Sequence, residues 1–288
     1  MLSAGLGIRP LTDREFKLFQ GLIHREAGIY LSEVKKALLV GRLSRRVREL
    51  GLESFEAYYH HVVDGANPAE RVELINNICT HETQFFREPR QFEFLEQTLA
   101  PRWRAEAEAG ARPKQIRAWS AACSSGEEPV SIAMTLLHHF PSREGWRVEV
   151  LAIDISTRVL DRARAAIWPI ERAAQIPAPY LKRFMLRGTG DQQNKMKAGP
   201  EIRAAIQFQQ LNLHADTYAV GGGDGFDLIF CRNVLIYFNA ATKEHVVSRL
   251  LARLAPEGLL FLGHAESVTG MRDQPRTVIP TVYSKTLR

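Results

Sequence analysis

The residue types best suited to chemistry gather in Trp119-Ser-Ala-Ala-Cys-Ser-Ser-Gly-Glu-Glu-Pro129. Its small side chains let a backbone approach a ligand, and the N–H groups of a helix start face what binds there. The loop carries one glycine, Gly126, and no Gly-x-Gly-x-x-Gly, which disfavours an NAD-type oxidoreductase. Adjacent carboxylates at Glu127 and Glu128 would repel a pyrophosphate. They suit a cationic or hydroxyl-rich ligand, and S-adenosylmethionine has both a sulfonium and a ribose. Asp154 ends a strongly apolar run, where a carboxylate either caps the next helix or holds a ribose diol. Further candidates sit in Thr80-His-Glu-Thr-Gln-Phe-Phe-Arg-Glu-Pro89 and in Arg232-Asn-Val-Leu-Ile-Tyr-Phe238. Phe85 and Phe86 read equally well as a sealed seam, Arg87 as a structural cation paired with Glu88, and Tyr237 as a core aromatic beside Phe238.

These residues need elements to hold them. Residues 115–119 read as a buried strand, and apolar positions 130, 132, 133, 136 and 137 have helical spacing, which predicts a helix opening at Pro129. Strands are expected at 146–154, 207–213, 226–231, 259–262 and 278–284, with helices at 90–107, 156–165 and 243–254 between them. Residues 226–231 read as the central strand of a parallel sheet, with Arg232 onward at the ligand-binding edge. Turn chemistry at Trp168-Pro169, Ile176-Pro-Ala-Pro179 and Arg187-Gly-Thr-Gly-Asp191 interrupts the rhythm. That interruption, about 168–210, reads as an inserted β subdomain or flap with short antiparallel strands at 196–203 and 205–209. Turns are expected at Asp64-Gly-Ala-Asn-Pro68 and at Gly221-Gly-Gly-Asp-Gly225.

Residues 11–88 read as helical, with Leu11-Thr-Asp-Arg-Glu15 as the first start signal. The helix at 33–50 has an apolar stripe at Leu39, Leu43, Val47 and Leu50. It also carries Lys35, Lys36, Arg42, Arg45, Arg46 and Arg48, with no acid between Val34 and Arg48. Such a run is either a solvated face or a docking face for an acidic partner. The chain has 288 residues, 45% hydrophobic and 24% charged, which bounds it to one large domain or two modest ones. Cys79, Cys123 and Cys231 lack metal-ligand spacing and fit a reducing cytosol. Neither a membrane span nor a secretory signal at Met1-Leu-Ser-Ala-Gly is expected. A net charge of +6 permits a nucleic-acid or acidic-protein partner without demanding either.

With these pieces placed, the chain resembles the chemotaxis-receptor glutamate methyltransferases, the CheR family, over nearly its whole length. The resemblance is carried in order by Thr83-Gln-Phe-Phe-Arg87, the loop 119–129, Asp154, Arg187-Gly-Thr-Gly190, Asn212-Leu213, Phe230-Cys-Arg-Asn-Val-Leu-Ile-Tyr-Phe238 and Gly263-His-Ala-Glu266. It implies an α/β fold: an N-terminal all-helical domain over 1–88, a Rossmann-like methyltransferase domain over 89–288, and the small inserted antiparallel β subdomain. It implies S-adenosylmethionine as methyl donor, no metal, and receptor glutamates as acceptors.

Carried over residue by residue, Thr83 and Arg87 close over the donor's methionyl end and Glu128 lies in the cradle. Asp154 holds the ribose, Asn212 and Leu213 flank the adenine, and Cys231, Arg232, Asn233 and Val234 line the pocket floor. Arg87 and Tyr237 are the positions the family associates with catalysis. The family usually has Asn where this chain has His81, whose ring nitrogen would have to keep that contact. Arg42, Arg45, Arg46 and Arg48 become a docking surface for glutamate-rich receptor helices, and the β subdomain a place where a receptor tail adds a strand. A nucleic-acid methyltransferase is the main rival enzyme. It is disfavoured because Asn-Pro-Pro-Tyr, Asp-Pro-Pro-Tyr and Pro-Cys are all absent and no aromatics interleave the basic run. A donor-binding scaffold without turnover is the non-enzymatic alternative.

Overall fold

The computed structural model describes residues 8–65, 68–220, 225–272 and 274–285. The expected start at 1–5, Ala66 and Asn67 of the first turn, and 221–224 of the glycine turn lie outside these residues.

The chain begins with α1 (Asp13–Ala27), opened by a capping box in which Thr12 and Glu15 satisfy each other's backbone N–H groups. A 3-10 turn (Glu33–Lys35) leads into α2 (Lys36–Glu49), and α3 (Phe55–Val63) and α4 (Pro68–Ile78) complete the bundle. Phe19, Leu39, Leu43, Val47, Tyr58 and Leu74 form its core. A non-helical strap, 79–88, then crosses to the rest of the molecule.

The expected helix at 90–107 is two helices, α5 (Pro89–Phe94) and α6 (Ala100–Glu108), joined by a π-turn at Leu95–Leu99. Pro101 has no N–H to give the carbonyl four residues back, which accounts for the wider turn. Next come β1 (Gln115–Ala121), α7 (Glu127–His139), β2 (Arg147–Asp154) and α8 (Thr157–Ala165). The cradle helix α7 therefore opens two residues before the expected Pro129. Gly126 caps it at φ 96°, and a Cβ there would stand 3.0 Å from the Ala163 side chain, so no other residue fits without a shift.

The insertion holds β3 (Ile167–Pro169), α9 (Ala178–Phe184), β4 (Met185–Arg187), β5 (Lys195–Ala198) and α10 (Pro200–Ala205). Its three strands form an antiparallel sheet in the order β3-β5-β4. Two strand expectations are corrected here. The run 196–203 is strand only to Ala198, because Pro200 opens α10. The run 205–209 is no part of the insertion: β6 (Ile206–Gln210) pairs parallel with β2 in the main sheet, and 211–213 lie beyond it. Nor is the insertion a loose flap, since Trp168, Tyr180, Phe184 and Met196 are buried with the main core.

Then follow β7 (Phe226–Cys231), α11 (Ala240–Ala252) and β8 (Leu254–Leu262). The expected last strand is a hairpin, β9 (Arg276–Ile279) and β10 (Val282–Ser284), because Pro280 lacks the N–H to continue and Thr281 turns at φ 67°. The main sheet runs β6-β2-β1-β7-β8-β10-β9, parallel through β8 and antiparallel at its far edge. Apolar cores cover both faces, as a parallel sheet requires. Connections leave β1 on one side and β7 on the other, so the switch point lies between them. Ligands of such sheets bind just beyond the strand ends there.

Candidate active site

A cleft opens at that switch point. Its floor is Ala122 and Ser124 after β1, Asp154 at the end of β2, Leu211 to Leu213 after β6, and Arg232 to Val234 after β7. The strap supplies the opposite wall through His81, Thr83 and Arg87, joined by Lys35 of the 3-10 turn and Arg42 of α2. The enclosed space, open mouth included, is about 1120 Å³, ample for a nucleoside bearing an amino-acid arm.

Backbone strain concentrates here. Phe86, Glu88, Ala122, Ser124 and Asn233 all hold positive φ without being glycine, and all flank the cleft or its strap. In the cradle the turn is fixed by Ala122 and Cys123 donating to the Ile153 carbonyl at 3.0 and 2.7 Å. Ser124 N–H then donates to Asp154 Oδ2, and Ser156 N–H to Asp154 Oδ1, each at 2.9 Å. Burial pushes the Asp154 carboxyl above the usual range, against the pull of those N–H bonds. Asp154 is not the cap of α8, because the Ser156 hydroxyl accepts from Val159 N–H instead. Burial likewise holds His81 below its ordinary pKa, against the attraction of Asp154. This favours a neutral imidazole facing the cleft.

Glu128 and Arg232 form a buried pair across the floor, 2.7 Å apart, with the second Glu128 oxygen accepting from Ser120 at 2.7 Å. Arg232, its side chain 1% exposed, also donates to the Arg87 carbonyl at 2.5 Å and to Gln91 at 3.2 Å. It thereby ties the strap to the end of β7. The strap is held elsewhere too. Ser124 Oγ donates to the His81 carbonyl, Phe86 N–H to Ser131, and Arg172 of the insertion to the Thr83 carbonyl at 2.7 Å. Glu266, buried after β8, accepts from the N–H groups of Gly263, Asn233, Val234 and Leu235 and so shapes the loop leading to Tyr237.

Three arginines line the cleft, and their commitments differ. Arg42 is held by the Ile78 carbonyl and Thr80, and Arg232 by the contacts just given. The Arg87 side chain makes one hydrogen bond among the described residues, to the Glu82 carbonyl at 3.2 Å, which leaves most of its donors available. Tyr237 also lines the cleft. Its carbonyl accepts from Tyr30 N–H at 2.8 Å, and Lys35 Nζ stands 5.8 Å from its ring centre.

Of the residues expected from the sequence, His81, Thr83, Arg87, Glu128, Asp154, Asn212, Leu213, Arg232, Asn233, Val234 and Tyr237 share this cleft. Cys231 does not: its side chain is buried in the apolar core on one face of the sheet. The Asn212 amide is already engaged, donating to the Glu26 carbonyl at 2.7 Å and accepting from His214 N–H. The four-arginine docking face also narrows. Arg42 turns into the cleft, and Arg46 binds the buried Glu70 carboxylate at 2.9 and 2.5 Å. Arg45 and Arg48 remain exposed. Ser124 and Glu266 stood in the quoted motifs without a role and Gln91 and Arg172 went unread, because no spacing in the sequence announces which polar side chain will meet a distant backbone N–H or carbonyl.

A donor with a ribose and an amino-acid arm fits these walls. His81 Nε2 and Asn233 Oδ1 are buried and lack partners among the described residues, and both residues face the cleft. Asp154 offers the remaining lone pairs of a carboxylate to hydroxyl groups. No group of His, Cys, Asp and Glu residues arranged to hold a metal occurs among the described residues.

Together the switch-point cleft, the cradle and the carboxylate after β2 define an S-adenosylmethionine-dependent methyltransferase. Residues 14–79 match the CheR methyltransferase all-alpha domain and residues 81–283 the CheR methyltransferase SAM binding domain. Chemotaxis protein methyltransferase 2 of Pseudomonas aeruginosa is 41% identical over 273 residues, 95% of this chain and 93% of its own. The chemotaxis protein methyltransferase of Escherichia coli is 37% identical over 274 residues, 95% and 91% of the two chains. That of Borreliella burgdorferi is 34% identical over 276 residues, 96% and 95%. The chain belongs to the CheR methyltransferase family.

Proposed function

We propose that this chain transfers the methyl group of S-adenosylmethionine to glutamate side chains of a chemoreceptor, within the cytoplasm, as the adaptation step of a chemosensory pathway. The names of its relatives support the pathway. The observation that carries the residue-level reading is that Arg87 and Tyr237 border the same cleft as Asp154 and the cradle. In this reading residues 1–88 form the receptor-facing domain and 89–288 the catalytic one.

S-adenosylmethionine, when bound, supplies a methyl group already activated by the sulfonium charge. Asp154 holds the ribose, with Leu213 and the backbone at Asn212 against the adenine. His81, Thr83, Asn233 and Val234 surround the amino-acid arm, and the Glu128–Arg232 pair fixes the floor beneath it. An acceptor glutamate has a pKa of about 4.3 and is ionised at neutral pH, so no side chain has to act as a strong base. Arg87, with donors available, draws that carboxylate in. The Tyr237 hydroxyl orients it, and the strap excludes water. Alignment and desolvation of this kind can supply up to ~7–11 kcal/mol. Arg45 and Arg48 add long-range attraction for a glutamate-rich helix, an effect that weakens with salt. The edge of the inserted sheet offers a place for a receptor tail to add a strand.

Calorimetric titration with S-adenosylmethionine and S-adenosylhomocysteine, wild type beside Asp154→Ala, tests the pocket. We expect one-to-one binding that the substitution weakens at least tenfold, followed by transfer of radiolabelled methyl to a receptor cytoplasmic fragment. Absence of binding by the wild type would remove the donor pocket. Binding without transfer to any receptor fragment would leave a scaffold in place of an enzyme.

A further inference from the structure

Isolated apolar residues on a surface are ordinary, whereas a cluster at a ligand's entrance marks an interface. Among the described residues, Tyr30, Val34, Leu38 and Ile236 are 46%, 89%, 39% and 44% exposed. Tyr30 and Ile236 adjoin Tyr237, and Leu38 shares its cleft. Tyr30 donates its N–H to the Tyr237 carbonyl at 2.8 Å, and Ile236 is the preceding residue. Leu38 and Tyr237 both line the cleft, and Lys35 lies over the tyrosine ring. Val34 sits four residues before Leu38, about one turn away.

The surface continues along α2. Leu38, Gly41, Arg45 and Arg48 are all exposed and follow one another at spacings of three and four residues, which places them on one side of the helix, and the exposed Val34 stands in the 3-10 turn just before it. Gly41 has no atom within 4 Å of where a Cβ would stand, so the middle of the stripe is flat and open. The stripe is thus apolar at the cleft and bare in the middle, and its far end carries Arg48 and an Arg45 that pairs with the exposed Glu49 at 2.7 Å. Leu38 and Arg48 stand roughly 15 Å apart along the helix axis at 1.5 Å per residue.

We propose that Tyr30, Val34, Leu38 and Ile236 form an apolar collar that seats the non-polar side chains flanking the acceptor glutamate, on a partner helix laid along α2. This rests on the reading of glutamate as acceptor given above. The partner is an amphipathic helix of defined polarity. Apolar residues lie within a turn of the reacting glutamate, and further acids lie about two to three turns away, against Arg45 and Arg48. Charge complementarity fixes which end of the helix faces the arginines, and the collar fixes which glutamate reaches the cleft. A wholly acidic peptide of the same charge would satisfy the arginines and leave the collar unfilled.

The test uses the full chain and a fluorescently labelled glutamate-rich receptor helix, read by anisotropy and by radiolabelled methyl transfer. The variants are Val34→Asn/Ile236→Asn, Arg45→Gln/Arg48→Gln and, as a remote exposed control, Val72→Asn. Losing the contact of these two exposed aliphatic side chains should raise Kd and KM for the helix about tenfold at every salt concentration. The donor Kd should not move. The arginine pair should raise both constants at low salt and converge with wild type near 0.5 M salt, about a Debye length below 5 Å. The control should match wild type throughout. Unchanged Kd and KM in the asparagine double variant would overturn the collar while leaving the reaction intact. Variant-sensitive binding without methylation by the wild type would keep the collar and overturn the glutamate-transfer reading. A helix neither bound nor methylated would overturn both.

Discussion

Tyr237 connects three parts of the molecule with three parts of one residue. Its carbonyl holds the segment after α1, its ring carries Lys35, and its side chain borders the cleft. A Tyr237→Phe chain keeps the first two contacts and loses only the hydroxyl. Its donor Kd should match wild type while kcat falls roughly 10–100-fold, the usual cost of a misoriented reacting group. Full activity would leave the hydroxyl without a part in the chemistry. The place of Asp154 at the cleft was legible because a carboxylate directly after an apolar run lies at the strand's ligand-facing end, whereas only the structure showed that Ser156 takes the capping role. Cys231 was not legible in the same way. It ends a buried strand and precedes three cleft residues, and only the alternation of the strand decides which face it takes.

The basic helix shows how far charge in a sequence can mislead about an element. Six cations between residues 35 and 48 suggest one uniform face, yet Arg46 belongs to the interior of the bundle. It meets a Glu70 carboxylate that also accepts from Tyr58 at 3.0 Å. Burial would push Glu70 up, but the Arg46 and Tyr58 hydrogen bonds outweigh it and leave its pKa below the ordinary 4.5. A depressed carboxylate stabilises the fold above its unfolded pKa and stops doing so as pH falls through the folded value. Thermal unfolding of the wild type should therefore shift downward on acidification below about pH 4.3. Arg46→Met leaves a buried charge without its cation and should cost about 3 kcal/mol at pH 7. That deficit should shrink as Glu70 is protonated. Equal acid sensitivity in the two proteins would remove this pair from the account. The strand errors have equally local causes. Pro200 and Pro280 each end a run whose apolar pattern alone reads as continuous. Outside the insertion, where α9 and α10 went unexpected, the order of strands and helices was otherwise readable, because apolar spacing switches between periods of about two and 3.6 residues.

At the scale of the whole molecule, the helical bundle and the α/β sheet are pinned together at several separated points. Asn212 holds the end of α1, Asn239 meets His24 at 3.0 Å, and Asn76 accepts from the Ser156 hydroxyl at 2.7 Å. None of these contacts follows a pattern, since each joins residues far apart in the chain, so the sequence suggested two units and not how tightly they close. If they open as one, the three cysteines offer a way to see it. Burial pushes the Cys79 thiol up to about 12, and the Cys123 and Cys231 thiols rise well above their ordinary value for the same reason. Only thiolates react with alkylating reagents, so at pH 8 the native protein should consume iodoacetamide very slowly. Cys79 stands at the end of the bundle and Cys231 at the end of β7, one in each unit. Matched labelling rates at these two sites, slowed together by S-adenosylhomocysteine, would show a single opening event. A Cys79 that reacts first would show the bundle parting from the sheet by itself. A protein with no disulfide and three masked thiols thus carries its own chemical clock for coming apart.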